Sequence, residues 1–372
     1  MKICYLANAQ SVHTQKWVRF FADQGYEVHL ISFEKAHIEN VKMYNLKRPS
    51  ALRFGLDIPF RFLRAQAMKR LIERIDPDVL HAHYIVDYGF YGALCGFKPF
   101  VVTAWGSDVL FVPSEGSRKY FVKKHIAKYV LKRADLVTCD AEHMQEAMIR
   151  LGASSESVRL VHFGVDTLRF NSGEKSEKIR AKLEIYDSPA VISLRNLEPV
   201  YDVESLIKSV PLVEKEIPES RFVIAGKGSE EKRLRELARS LGVLESVKFI
   251  GFIPNDEIPQ YLTSMDVYVS TALSDAGIAA STAEAMACGL PVIVTNVSEN
   301  KKWVENGVNG FVVPIKDPKS LAEKIIYLLK NEDVRKRFGK ISRKIIEERN
   351  NYYREMEEMG VLYEEIVRRC RK

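Results

Sequence analysis

The sequence predicts an α/β protein made of two doubly wound parallel-sheet domains, and three observations predict it. The 372-residue chain is too long for one ordinary core and suits two of about 150–200 residues each. Short apolar runs alternate with amphipathic stretches through the first 170 residues, which is the pattern of buried parallel strands joined by helices. After a polar segment broken by Gly and Pro, the same rhythm starts again.

In the first half, runs near 2–7, 27–31, 79–82, 99–103, 136–139 and 158–161 read as strands, with amphipathic stretches at 13–24 and 118–133 between some of them. This domain is assigned residues 1–170. Residues 171–189 (NSGEKSEKIRAKLEIYDSP) read as a linker and hinge. The second domain, 190–345, carries strands at Ala190–Ser193, Phe222–Ala225, Val247–Ile250, Val267–Val269 and Val292–Val294. No sequence repeat accompanies the repeated layout. Beyond Pro314 the chain reads as nearly all helical, and the last segment, 346–372, keeps apolar positions at spacings of three and four.

Composition narrows the class. With 46% hydrophobic and 28% charged residues the chain is a folded protein and not a disordered one. Its five cysteines form no CxxC or Cys/His cluster and are expected to be reduced and structural. No window of about 20 uncharged apolar residues occurs, and a strand opens the chain where a signal peptide would sit, so the expected location is the cytoplasm. The net charge of +7 lies wholly in the first half, where residues 1–170 hold 24 Lys+Arg against 17 Asp+Glu.

Ligands of open α/β sheets bind beyond the carboxyl ends of the strands, where helix N-termini offer free N–H groups. Three such edges stand out in the second half. In STALSDAGIAASTAEAMACG a strand runs through a loop into a helix beginning near Ala280; the amides of Ser281, Thr282 and Ala283 there suit a diphosphate, and Glu284 suits a ribose diol. The same segment also reads as an ordinary capped helix. In SLRNLEPVYD, Arg195 follows a strand and is either a phosphate ligand with a planar fork or a surface ion pair. In FVIAGKGSEE, Gly226 and Gly228 admit close backbone approach around Lys227, while Glu231 stands where a dinucleotide fingerprint needs a third glycine.

Together with GFIPNDEIPQYLTSMDVYVS, EAMACGLPVIVT and NGVNGFVVP, these edges resemble the C-terminal domain of the family 4 retaining glycosyltransferases (glycosyl transferases group 1) of GT-B fold. DPDVLHAHY, VTAWGSD, ADLVTCDAEHM and HFGVDTLRF extend the resemblance over roughly residues 1–345. It implies two Rossmann-like domains facing a central cleft, with the C-terminal helix crossing back to the first domain. It further implies that Arg195 and Lys227 meet the donor diphosphate beside Gly226 and the Ser281–Ala283 amides. By the same resemblance Glu284 holds the ribose, and the loop Gly251–Ile253, with Phe252 and Ile253, meets the base. The chain departs from the family pattern at Tyr201, where a lysine is usual, at Ala276, where the first glutamate of Glu-x7-Glu would fall with Asp275 beside it, and at Trp105, where a histidine is common. A variant subgroup or a changed acceptor is implied.

On the acceptor side the candidates are His13 and Thr14 at a helix start, His83 past the strand 79–82, and Trp105 and Asp108 after the strand 100–103. Each histidine reads as readily as a core or capping residue, and Asp108 as an N-cap. As acceptor groups, Asp108 orients a hydroxyl and Trp105 stacks on a sugar ring. The expected reaction is metal-independent transfer from a UDP- or GDP-type sugar to a glycan, lipid-linked or small acceptor, with retention and no protein nucleophile. No cofactor is expected, and the one DxD, Asp76-Pro77-Asp78, precedes a strand instead of following one.

Residues 117–133 hold seven Lys/Arg and no acid, and 47–75 hold eight basic residues against two acidic ones. They read either as a solvated face or as an anionic-membrane contact, giving a peripheral position on the inner membrane face. The rival readings are a sugar-nucleotide epimerase and a basic nucleic-acid-binding protein; the latter lacks a recognition motif, so no nucleic acid is expected.

Overall fold

The computed structural model describes residues 1–46, 58–110, 118–275 and 277–371. Ala276, Ser117 and the basic residues of 47–57 lie outside them. The chain divides into two compact units, Met1–Phe163 with Tyr353–Lys372, and Gly164–Tyr352.

The first unit contains a seven-stranded sheet of β1 (Lys2–Leu6), β2 (Glu27–Ser32), β3 (Val41–Asn45), β4 (Val79–His83), β5 (Phe100–Thr103), β6 (Leu136–Cys139) and β7 (Val158–Leu160). The order is β3-β2-β1-β4-β5-β6-β7, with every neighbouring pair parallel. The central strands β4 and β5 are buried along their whole length, as covering both faces of a parallel sheet requires.

β3 is absent from the expected strands for a physical reason. It pairs with β2 alone at the sheet edge, and VKMYN leaves Lys42 and Asn45 exposed, so it carries no continuous apolar run.

The second unit contains β8 (Ala190–Leu194), β9 (Arg221–Ala225), β10 (Val247–Gly251), β11 (Val267–Ser270), β12 (Val292–Thr295) and β13 (Gly310–Val313) in the order β10-β9-β8-β11-β12-β13, again all parallel. Alternate residues serve opposite faces: Ile192, Val223, Tyr268 and Val292 enter one core layer, while Val191, Phe222, Val267 and Ile293 enter the other. β13 is the second strand that was not expected. It is four residues long and starts at Gly310, whose hydrogen occupies a space where a Cβ would come within 2.3 Å of the Val292 carbonyl.

Residues 171–189 are not a free linker, and the boundary falls at Phe163–Gly164. Phe170, Ile179, Leu183 and Ile185 are buried in the second unit's core. The helix Glu177–Lys182 is tied down by Arg180, which donates to the carbonyls of Ser264 at 2.5 Å, Ser188 at 2.6 Å and Tyr186. The few apolar anchors in a mostly polar segment are what made it look like a hinge. Residues 346–352 also stay with this unit: Val165 receives the Tyr352 amide at 3.0 Å and donates to the Asn350 carbonyl at 2.8 Å.

The last helix, Tyr352–Cys370, packs on the first unit from Tyr353 onward. Tyr363 is wholly buried there, its hydroxyl 2.5 Å from His81 Nδ1 and 3.0 Å from the Tyr5 hydroxyl. His81 Nε2 lies 2.7 Å from Thr103 Oγ1, which lies 2.6 Å from Thr138 Oγ1, so one polar chain crosses β1, β4, β5 and β6 inside the core. Burial, then neighbouring His83, holds His81 neutral.

Candidate active site

In the second sheet the strand order reverses between β8 and β11, the position where loops diverge and leave a crevice at the carboxyl edge. Arg195 is the first residue after β8, and residues 271–275 and 277–279 lie in the loop after β11. Arg195 Nη2 donates to Asp275 Oδ1 at 2.5 Å, and both side chains are about nine-tenths buried, at 8% and 11% exposure. Its guanidinium carbon lies 4.3 Å from the centre of the Tyr201 ring. Burial works against the Arg195 charge, but Asp275 and the Tyr268 phenol outweigh it, so its pKa is raised and it stays cationic. Burial pushes the Asp275 carboxyl up against the pull of Arg195, and its Oδ2 is buried without a hydrogen-bond partner.

Gly226 and Gly228 are required by backbone crowding. Gly226 has φ +140°, and a Cβ there would stand 2.1 Å from the Arg195 carbonyl oxygen; at Gly228 it would stand 2.2 Å from that of Leu197. The 195–197 backbone lies against the Cβ side of both glycines, fastened by the Leu197 amide donating to the Lys227 carbonyl at 3.0 Å. Lys227 is exposed and forms no ion pair among the described residues. Its Cε is 3.8 Å from where a Cβ of Gly251 would stand, at the end of β10.

The helix Ala280–Ala287 follows extended Ala279, which makes no side-chain cap bond. Its first bond runs from the Ala283 amide to the Ala279 carbonyl at 3.0 Å, which removes Ala283 from the expected donors and leaves Ala280, Ser281 and Thr282. The Ser281 hydroxyl lies 2.7 Å from that of Tyr268, the Thr282 side chain is buried, and Glu284 is half-buried one turn in. Of the base-loop pair, Phe252 is 69% exposed, whereas Ile253 is buried in the core and offers a ligand only its backbone.

The first sheet reverses between β1 and β4. His13 and Thr14 lie in the first turn of the helix Val12–Asp23, His83 is the last residue of β4, and Trp105 follows β5. The Trp105 ring is packed against His13 at 5.3 Å, His83 at 5.6 Å and Phe163 at 5.4 Å between centroids. The indole nitrogen of Trp105, both nitrogens of His83 and Thr14 Oγ1 are buried without partners. Burial, assisted by Lys16, lowers His13 to about 4, and burial with His13 lowers His83 to about 3. Both rings are therefore neutral at pH 7.

Asp108 does not face an acceptor. It is wholly buried, and its two oxygens accept the amides of Ile85 at 2.7 Å and Trp105 at 2.9 Å, so it is a positioning residue for Trp105. Burial raises its pKa from 3.8 to about 6 despite these amides. A carboxyl raised in this way contributes its full stability below its ordinary pKa and loses it as pH rises through about 6. Above that, keeping it ionised costs on the order of 3 kcal/mol. Melting curves of Asp108→Asn between pH 4 and 7 should lack that fall; a wild-type-minus-variant difference that stays flat over this range refutes it.

Asp78 sits at the opposite, amino edge, bonding the Lys2 amide at 2.8 Å and Arg371 at 2.5 Å. Among the described residues no group of three His, Cys, Asp or Glu is arranged to hold a metal. Sequence reasoning missed the roles of Asp275 and Tyr201 as partners of Arg195. Asp275 is 80 positions away in the chain, and neither residue type signals the contact.

Residues 175–345 match the family described as Glycosyl transferases group 1, and residues 2–141 match Glycosyl transferase 4-like. Spore coat protein SA of Bacillus subtilis is 29% identical over 62% of this chain, and the match spans just under two thirds, 65%, of that protein. Sucrose-phosphate synthase from Thermosynechococcus elongatus superimposes with TM-score 0.82 at 19% identity over 98% of both chains, and Anabaena HepE in complex with UDP-glucose with 0.80 at 20% over 98% and 100%.

Proposed function

The chain belongs to the group 1 glycosyl transferases and has the GT-B fold, and from that premise we propose that its second unit holds a UDP- or GDP-type sugar whose glycosyl group passes, with retention, to an acceptor hydroxyl. The acceptor is a glycan, a lipid-linked sugar or a small alcohol bound by the first unit. One observation carries the reading. At the switch point of the second sheet, a buried arginine is tied to the stretch of an exposed lysine by the Leu197 amide on the Lys227 carbonyl, and through Asp275 to the loop that precedes an uncapped helix start.

The C1–O bond to the diphosphate breaks as the acceptor oxygen bonds C1 from the same face, and the acceptor proton goes to the departing phosphate oxygen. Charge grows on the diphosphate, and Arg195, Lys227 and the amides of Ala280–Thr282 are the cations and dipoles that meet it. Glu284 receives the ribose hydroxyls. The first unit supplies neutral ring edges and orphaned hydrogen-bonding atoms at His83, Thr14 and Trp105, suited to a hydroxylated and uncharged acceptor end. The reaction needs no metal. Anabaena HepE, bound to UDP-glucose, supports the donor class.

The test is thermal stabilisation by UDP, GDP, ADP, CMP and NAD in EDTA, for the wild type and Arg195→Ala. A shift with one nucleoside diphosphate that disappears in the variant supports the donor site, and a shift with NAD alone, or none, ends the reading.

A second reading concerns where the acceptor lies. The helices Ile58–Ile75 and Arg118–Leu131 both follow strands at the carboxyl edge of the first sheet, and both leave apolar residues exposed in their first half: Phe62, Leu63, Phe121 and Val122. Exposed Lys69, Arg70, Lys123, Lys128, Lys132 and Arg133 accompany them. Among the described residues no helix is long and apolar enough to cross a membrane. Such a face suits the surface of an anionic bilayer. Flotation with anionic but not zwitterionic liposomes at low salt is expected, and protein left in solution with both rejects this contact.

A further inference from the structure

We propose that Asp275 competes with the donor diphosphate for Arg195, so that nucleotide binding opens the Asp275–Arg195 ion pair and Asp275 limits how tightly the product nucleotide is held. The proposal rests on the reading of this edge as a diphosphate site and names a residue that works against binding there.

With the pair closed, the charge of Arg195 is cancelled, and Lys227 is the cation left among the residues assigned to the diphosphate. A diphosphate reaching the guanidinium would lie beside a buried carboxylate, and like charges repel strongly where water is scarce. The pair itself is single-pronged. It has one N–O contact at 2.5 Å, engages one carboxylate oxygen and leaves Oδ2 buried without a partner. A phosphate that takes the planar fork with two oxygens is the better match.

The local structure allows the exchange. The loop is fixed to Val200 by the Leu273 amide at 2.8 Å and to Tyr201 by the Thr271 hydroxyl at 3.0 Å. Among the described residues its next backbone bond is at Ala279–Ala283, so Asp275 lies in the stretch between anchors. The Tyr201 ring, 4.3 Å from the guanidinium carbon, belongs to the anchored side and keeps Arg195 in place when Asp275 leaves.

The test is calorimetric titration of UDP, GDP and inorganic pyrophosphate into the wild type, Asp275→Asn, Arg195→Ala and the double variant, each checked for cooperative melting. Asp275→Ser is the second variant if the asparagine form does not fold. Loss of the competing carboxylate is expected to tighten diphosphate binding at least about tenfold. That gain is expected to vanish when Arg195 is absent, because the two act on one another. Unchanged or weaker binding in Asp275→Asn overturns the proposal, as does an equal gain in the Arg195→Ala background. Wild-type binding that needs Arg195 but ignores Asp275 leaves the donor-site reading standing and removes only this inference; binding to none of the four proteins removes both.

Discussion

Arg195→Ala is expected to transfer sugar about 10²- to 10³-fold more slowly than the wild type, the usual cost of losing one fixed donor that meets transition-state charge. The side chain directly follows β8, at the point where the strand order of the second sheet reverses. It is nine-tenths buried and cationic, so its interaction with a developing phosphate charge is weakly screened. Arg195→Lys should recover little, because an ammonium cannot present two parallel N–H groups or stack on Tyr201. Removal of Arg195 also strands the Asp275 carboxylate, and breaking such a buried pair costs about 3–5 kcal/mol of stability. The rate must therefore be read in Arg195→Ala/Asp275→Asn as well. A double variant that regains wild-type melting while transfer stays slow places the loss in catalysis. Full activity in either variant would take Arg195 out of the mechanism.

Gly226→Ala should be the most damaging methyl group that can be added to this edge. A side chain at φ +140° is strained by about 1–3 kcal/mol before any contact is considered. The added carbon would stand 2.1 Å from the Arg195 carbonyl oxygen, so the 195–197 backbone has to move away. With about 1–3 kcal/mol for overpacking, the second unit should lose roughly 3 kcal/mol of stability. Nucleotide affinity should fall with it, since the displaced strand end carries the guanidinium. Urea unfolding and UDP or GDP titration of the same preparation check both, and a variant with wild-type values in both would show that the crowding is absent in solution.

How much of this was legible in the sequence depended on the kind of signal. Central strands such as VLHAH and VYVS are buried on both faces and betray themselves as unbroken runs. The edge strand VKMYN does not, and the helix Tyr88–Cys95 was hidden because YGFYGALC carries two glycines. Gly92 is there because a Cβ would stand 2.5 Å from the Phe100 ring, a fact of packing invisible in one dimension. At the site, Arg195 and the helix start near Ala280 were legible from strand ends and loop chemistry. The use of the Ala283 amide inside the helix, the choice of amides that Asp108 accepts and the closeness of Asp275 to Arg195 were not. Each depends on which of several possible partners the fold brings near, and residue type alone does not choose among them.

The last helix bears on how the protein is made. The second unit is one continuous stretch, Gly164–Tyr352, whereas the first needs Tyr353–Lys372 to complete its interior, with Tyr363 closing over Tyr5 and His81. The first unit therefore keeps an open flank until its last segment is in place. That flank includes Phe21, whose ring lies 5.2 Å from that of Tyr363 in the finished protein. Domains generally fold as they emerge, N-terminal first; here the N-terminal one cannot be finished until the chain's last segment is available. A chain cut after Tyr352 would keep the whole second unit but expose the Phe21 flank of the first, and that truncated form is the one expected to aggregate.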